Sequence, residues 1–179
     1  MTVLNIRRFN DKILSKKVNP VSDDQFGEHL QELLSAMAET MYSNKGVGLA
    51  GPQVGFLGRV LVADTGYLDS NKYGSSWIGM VNPEIIEASD VLLTAEEGCL
   101  SYPSFAQRVE RAESVRVKFF SPLGKVQEET FNGFQARIIQ HECDHLNGVT
   151  LLNRAGRFKR SAYLKKINKV RKSMKKVGA

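Results

Sequence analysis

The nine residues Gln140-His141-Glu142-Cys143-Asp144-His145-Leu146-Asn147-Gly148 constrain the fold more than any other stretch of this chain. They close an apolar run, Phe134, Ile138 and Ile139, that predicts a helix with Gly148 as its C-terminal stop. On a helix, His141 and His145 stand one turn apart, rotated by about 40° and separated by about 6 Å of rise. Two imidazoles so placed can share one tetrahedral metal ion. Glu142 lies about 100° from His141 and about 60° from His145, flanking the metal face. From there it can reach a metal-bound water without being a ligand. Cys143 is a good ligand type, but it points about 160° from His145 and is excluded.

A His-Glu-x-x-His pentapeptide is only moderately specific, because such sequences also arise on helix ends whose histidines are merely solvated. Zinc proteases that carry it usually take a third ligand, His or Glu, from downstream. Here no His, Cys, Asp or Glu follows His145. The ordinary metalloprotease pattern fails, and any third protein ligand must be brought onto the helix from upstream. Glu96-Glu97-Gly98-Cys99-Leu100-Ser101-Tyr102-Pro103 offers one. Cys99 can be a small buried hydrophobe or a soft ligand delivered by a tight turn, and it is the best third ligand available.

A second unusual stretch runs from Gly46 to Gly55, with glycines at 46, 48, 51 and 55. Each glycine costs folding entropy, so four in ten residues call for a reason beyond core packing. A phosphate-cradling loop is weakly supported, since no Lys-Ser/Thr follows and no helix is expected at the right place. Two readings stay open: a plain surface loop, or a backbone that approaches a ligand closely, with Gln53 offering its amide.

The rest of the chain supplies short elements. Met1 to Val21 predicts an irregular strand or arm ending near Pro20. Ser22 and Gln25 form a capping-box pair that opens a helix, with Phe26, Leu30, Leu33, Leu34, Met37 and Met41 at helical spacing up to Asn44-Lys45-Gly46. His29 on this helix is left out of the site. Strands are predicted at 59–63, at 77–81 ending before Asn82-Pro83, and once or twice between Glu84 and Leu93. The polar stretch from Asp64 to Ser76 suggests an exposed loop. Ser114 to Phe120 and Lys125 to Phe131 make a hairpin around Ser121-Pro122-Leu123-Gly124. Val149 to Leu152 predicts one last strand. Gly156 to Lys176 predicts a helix whose apolar side carries Phe158, Ala162, Leu164, Ile167, Val170 and Met174. Hairpin signals dominate, so the fold class is α+β: antiparallel sheets packed around a central metal-binding helix, with a C-terminal basic helix.

Charge is unevenly spread. Eleven of the 25 basic residues fall between Arg154 and Lys176, where there is no acidic residue, leaving 14 basic against 19 acidic elsewhere. A slightly acidic body thus carries a basic tail. Hydrophobic residues at 42% and charged ones at 25% exclude extensive disorder. The N-terminus has no apolar signal region, and no window approaches the roughly 20 apolar residues that span a bilayer. With only two cysteines, one of them on the metal helix, a reducing, cytoplasmic setting is expected.

Taken together, three stretches resemble the peptide deformylase family: Gly46 to Gln53 its Gly-rich motif, Glu97 to Ser101 its Glu-Gly-Cys-Leu-Ser motif, and Gln140 to His145 its third motif. The order and spacing match, and the resemblance covers nearly the whole chain. Leu49, Gly51 and Pro52 are mild departures within the first motif. The resemblance implies a catalytic domain over residues 1–153, with 154–179 a basic helical extension of it. It implies that Cys99, His141 and His145 bind one divalent metal, typically Fe²⁺, with Zn²⁺ or Ni²⁺ able to replace it. Water would fill the open position and attack the formyl carbonyl of an N-terminal formyl-Met, with Glu142 as general base and formate released. Gln53 and the Leu100 backbone N–H would stabilise the oxyanion. Val47, Phe134, Arg137 and Ile138 would line the Met pocket, and Gly48 would hydrogen-bond the peptide. The implied partners are N-formyl-Met nascent peptides and, through the basic tail, ribosomal RNA; no membrane is involved and the chain is expected to be a monomer. Two rival classes are a peptidase with an upstream ligand and a nucleic-acid-binding module with a structural metal. Neither accounts for Gln53 and the Gly-rich loop.

Overall fold

The computed structural model describes residues 3–66, 74 and 76–177, with the side chains of 171–177 left aside. Helix α1 (Glu28–Ser43) is followed by strand β1 (Gly48–Ala50), the single-turn helix α2 (Gly51–Val54) and strands β2 (Val60–Asp64) and β3 (Trp77–Ala88). Strands β4 (Leu92–Gly98), β5 (Ala106–Ala112), β6 (Ser114–Phe120) and β7 (Val126–Asn132) lead into helix α3 (Gly133–Leu146), and helix α4 (Arg157–Val177) closes the chain. Strands β1-β2-β3-β6-β7 form a five-stranded antiparallel sheet in that order, and β4-β5 form a separate antiparallel pair. This is the α+β arrangement expected.

Strand β2 shows why the layers stack as they do. All five of its residues are buried, and alternate ones serve opposite faces. Val60 and Val62 join Leu30, Leu34, Met37 and Met41 of α1 in one core. Leu61 and Ala63 join Ile138, Ile139, Cys143 and Leu146 of α3 in the other. Helix α3 therefore lies in the interior, and eight of its fourteen residues are buried. A third cluster brings Leu14, Tyr102, Phe105 and Val109 together with Leu151, Leu152 and Tyr163, so residues on both sides of position 153 share one core.

Several boundaries differ from expectation. Ser22 and Gln25 do pair, with the Ser22 N–H donating to Gln25 Oε1 at 3.0 Å, but they cap only a 3₁₀ turn at Asp23–Gln25. Gly27, at φ 143°, then breaks the path and α1 starts at Glu28. Strand β3 does not stop at Asn82-Pro83. The sheet takes up the proline at a register shift, where Asn82 adopts φ 50° and exchanges two 2.8 Å hydrogen bonds with the Val21 backbone. Val149 to Leu152 is a turn and not a strand. Asn153 Oδ1 accepts from the Thr150 N–H and hydroxyl, and burial of Leu151 and Leu152 in the third cluster replaces sheet pairing. Strand β5 escaped sequence reading because Arg108, Glu110 and Arg111 blur its alternation. On α4, the docked residues are Tyr163, Leu164 and Ile167; Phe158 is 94% exposed and Ala162 is also exposed. Most of the expected loop at 64–76, and the side chain of Met174, lie outside the described residues. No helix among the described residues is long and apolar enough to cross a membrane.

Candidate metal centre

Helix α3 presents His141 and His145 on one face, with ring centroids 5.1 Å apart. Cys99 arrives from the turn after β4, with its Sγ 3.3 Å from His145 Nε2. One ligand atom from each of Cys99, His141 and His145 lies within 4.8 Å of the others. Gly148, at φ 73°, ends the helix region; a Cβ there would stand 2.7 Å from the Ser15 carbonyl, so only glycine lets the N-terminal arm pass this close. Cys143 faces the sheet core, where burial pushes its thiol up to about 12. It is the inert cysteine that its angle on the helix foretold.

The other candidates gather at the same place. Val47, Gly48, Gln53, Leu100, Phe134, Arg137, Ile138 and Glu142 line one cavity of about 350 Å³ together with Cys99 and His141. His145 is absent from that lining and joins through Cys99. The glycine at 48 has a plain reason. A Cβ there would run into the Glu142 carboxylate and come within 2.9 Å of Ile138 Cγ2. Backbone thus packs directly on the acid, as a close-approach loop requires.

Glu142 is 4% exposed, and its Oε2 has no partner among the described residues. Burial, reinforced by Glu97 and Asp144 and opposed by His141 and Arg111, raises its pKa to about 7. A carboxyl group poised there can accept and return a proton at neutral pH. Gln53 is oriented by the Ala50 N–H, which donates to its Oε1 at 2.8 Å. That leaves Nε2 to donate to Ser101 Oγ at 3.2 Å, while lying 3.6 Å from Cys99 Sγ. The donor end of the amide therefore faces the centre.

The support behind the ligands is what sequence reasoning missed. Glu97, the buried residue of an otherwise exposed strand β4, accepts from His141 Nδ1 at 2.9 Å, which leaves Nε2 free to bind a metal. Arg111 grips Glu97 through two hydrogen bonds of 2.9 Å and reaches Asp144 Oδ2 at 2.7 Å. Arg137 donates to Glu97 Oε1 at 2.8 Å and to the Val109 and Leu93 carbonyls. Its guanidinium is thus committed to Glu97 and backbone rather than to the cavity. Burial alone would raise the Glu97 pKa, but hydrogen bonds from Arg111 and His141 outweigh it and hold the carboxyl far below its usual range. The available signal was a carboxylate two residues before a candidate ligand, since metal-binding histidines usually donate their other ring N–H to a carboxylate, a carbonyl or water.

These residues fit a catalytic metal. One thiolate and two imidazoles leave a fourth position open, whereas a structural site would be closed by four protein ligands. Burial, and then the neighbouring His141, push the His145 pKa well below its ordinary value, keeping that ring neutral as a ligand must be. For His141 burial opposes charge, yet Cys99 and Glu97 raise its pKa well above the ordinary value. Surroundings that favour a proton so strongly also favour a cation in its place.

Comparison with known proteins gives a consistent result. The polypeptide deformylase family profile matches residues 3–161. A peptide deformylase of Thermotoga maritima is 39% identical over 171 residues, covering 96% of this chain and 98% of that protein. A crystal structure of a peptide deformylase from Legionella pneumophila superposes with a TM-score of 0.84 at 37% identity, covering 97% of this chain and 98% of that one. A Met-Ala-Ser-bound class I type b peptide deformylase from Acinetobacter baumannii superposes with a TM-score of 0.77 at 39% identity, covering 86% and 99%.

Proposed function

This chain belongs to the polypeptide deformylase family of metal-dependent hydrolases, and from that premise we propose that it removes the formyl group from the N-terminal formyl-Met of newly made polypeptides. The observation that carries the reading is Glu142, a buried carboxylate with an oxygen unpartnered among the described residues, lining one cavity with Cys99 and His141 of the Cys99, His141 and His145 cluster. Cys99 Sγ and the two imidazoles would hold a divalent ion, for which the family resemblance implies Fe²⁺, with Zn²⁺ or Ni²⁺ able to replace it. Bound there, such an ion would supply Lewis acidity and lower the pKa of water towards 7.

Glu142 takes the proton of the attacking water and later returns one to the leaving amine. Charge developing on the formyl oxygen is met by Gln53 Nε2 and the Leu100 backbone N–H; loss of one such donor typically costs about 10²–10³ in rate. Arg111 and Arg137 hold Glu97, Glu97 holds His141, and each therefore acts through the ligand it steadies. Val47, Phe134 and Ile138 give the cavity apolar walls suited to a methionine side chain. The peptide would lie along Gly48, hydrogen-bonding its backbone as an added strand. The Acinetobacter relative with Met-Ala-Ser bound supports this, since that tripeptide has the form of a deformylated product.

Formyl-Met-Ala-Ser incubated with protein purified without oxygen and supplied with Fe²⁺ should yield formate and intact Met-Ala-Ser in equal amounts. N-formyl-Met and Ala-Ser in place of formate would favour the peptidase reading.

The tail is proposed to contact ribosomal RNA. Its eleven cations without an acid favour a polyanion, and exposed Phe158 between Arg157 and Lys159 can stack on a base. Removing everything after Asn153 would strip Tyr163 from the third cluster, so substitution is the cleaner probe. Changing the exposed Lys165, Lys166 and Lys169 to Glu should abolish co-sedimentation with ribosomes at low salt and leave turnover of the tripeptide unchanged. Undiminished co-sedimentation would remove the tail from this role.

A further inference from the structure

Two residues beyond α3 reach back to both segments that carry the ligands. Arg154 Nη2 donates to Asp144 Oδ1 at 2.7 Å and its Nε to Oδ2 at 3.1 Å. Asp144 sits on α3 between the two histidines, immediately before His145, and its Oδ2 also receives Arg111. On the other side, the buried Tyr163 donates its hydroxyl to the Pro103 carbonyl at 3.2 Å, four residues past Cys99. Its ring lies 4.8 Å from that of Phe105, 6.5 Å from Tyr102 and, edge-on, 6.4 Å from Phe9.

The segment so gripped is the least self-supporting part of the centre. The histidines ride on a buried helix, but Cys99 sits in a turn. That turn is closed by the Tyr102 N–H on the Cys99 carbonyl at 2.9 Å, and Phe105 then caps a second turn on Tyr102. Between them Ser104 is held at φ 58°, a left-handed conformation that a residue with a side chain keeps only when its surroundings enforce it. Tyr102 and Phe105, on either side of it in the chain, both belong to the aromatic cluster around Tyr163, with the Lys159 ammonium 5.6 Å from the Phe105 ring centroid.

We infer that the stretch from Arg154 to Tyr163 is a brace for the metal centre: Tyr163 is a positioning residue for the Cys99 turn, and Arg154 for the histidine helix. Neither touches substrate or metal. Each fixes a ligand through one intermediate group, Pro103 in one case and Asp144 in the other. The beginning of α4 thereby supports the metal centre from outside it, while the exposed Lys165, Lys166 and Lys169 remain available to a partner. This inference rests on Cys99, His141 and His145 being the metal ligands.

The test uses the full chain loaded with Co²⁺, whose thiolate-to-metal absorption reports the Cys99 bond directly. Unaltered protein must first show that band; its absence would refute the ligand assignment itself, before any variant is compared. Tyr163→Phe keeps the rings and deletes only the bond to Pro103, and Arg154→Ala removes a partly exposed side chain, so both should fold. Each is expected to shift or weaken the band and to speed Co²⁺ loss to a chelator by up to about tenfold, the low end for groups that orient ligands. The double variant should lose metal faster than either. The kcat for formyl-Met-Ala-Ser should fall while KM stays constant. A purely structural role would lower the melting temperature and leave the absorption band and release rate of the folded variants unchanged. That outcome would overturn the brace.

Discussion

Glu142→Gln should lower kcat for formate release by about 10²–10⁴-fold, the range for loss of a positioned general base, with metal content unchanged. Glutamine keeps the volume and fills the same space against Gly48, so the cavity should survive. What it loses is basicity. In the native chain, a carboxyl group with a pKa of about 7 has one buried oxygen with no hydrogen-bond partner among the described residues. Such an atom is costly to bury, and the cost is recovered only if a reacting group occupies the space beside it. Metal analysis alongside steady-state rates checks the prediction. A variant within tenfold of native kcat would place the base on another residue.

The second large effect concerns stability. Glu97→Ala should cost about 3–5 kcal/mol, because it strands buried guanidinium groups beside a vanished carboxylate. The Arg111 and Arg137 side chains are only 4% and 8% exposed. Arg111 keeps Asp144, and Arg137 keeps the Val109 and Leu93 carbonyls, so the lower end of that range is expected. Urea titration should show a lower midpoint at unchanged slope. His141 would also lose the acceptor on its Nδ1, weakening metal binding by about 10–100-fold. The pairing leaves a signature in acid. The folded pKa of Glu97 is depressed, so its contribution is complete above the ordinary carboxylate range and is lost as pH falls below it. In Glu97→Gln, that part of the acid limb should disappear. A loss below 1 kcal/mol for the Ala variant would mean that the two arginines find other partners.

These two residues mark the boundary of what the sequence made legible. The histidine face was readable because helical periodicity alone fixes which of positions 141 to 145 share a side, and it separates Cys143 from them without tertiary information. Cys99 followed from the lack of any ligand type after His145. A close backbone approach was one of two open readings of the Gly-rich stretch, and the group that Gly48 approaches, Glu142, was not readable. Glu97 was different. Its role depends on β4 pairing with β5, on Arg111 lying fourteen residues away across that hairpin, and on α3 packing against β5. None of these leaves a local pattern, and the charges on β5 disguised the strand itself. The same holds at Asn82-Pro83, where a side chain clasping Val21 lets a strand continue through a proline. It holds again on α4, where Phe158 has the hydrophobicity of a core residue but tertiary packing selects Tyr163. Local periodicity placed the two candidate histidine ligands on one face, and long-range pairing supplied what steadies them.

The most direct test of the whole account compares formyl-Met-Ala-Ser with acetyl-Met-Ala-Ser on one Fe²⁺-loaded preparation. A metal cavity matched to a formyl group, with Gly48 and Leu100 in its lining, should penalise the extra methyl group, which elsewhere is worth about 10–200-fold in kcat/KM. The account predicts rapid formate release and acetate release slower by a factor in that range. Equal rates, or no formate from fully metal-loaded protein, would contradict it.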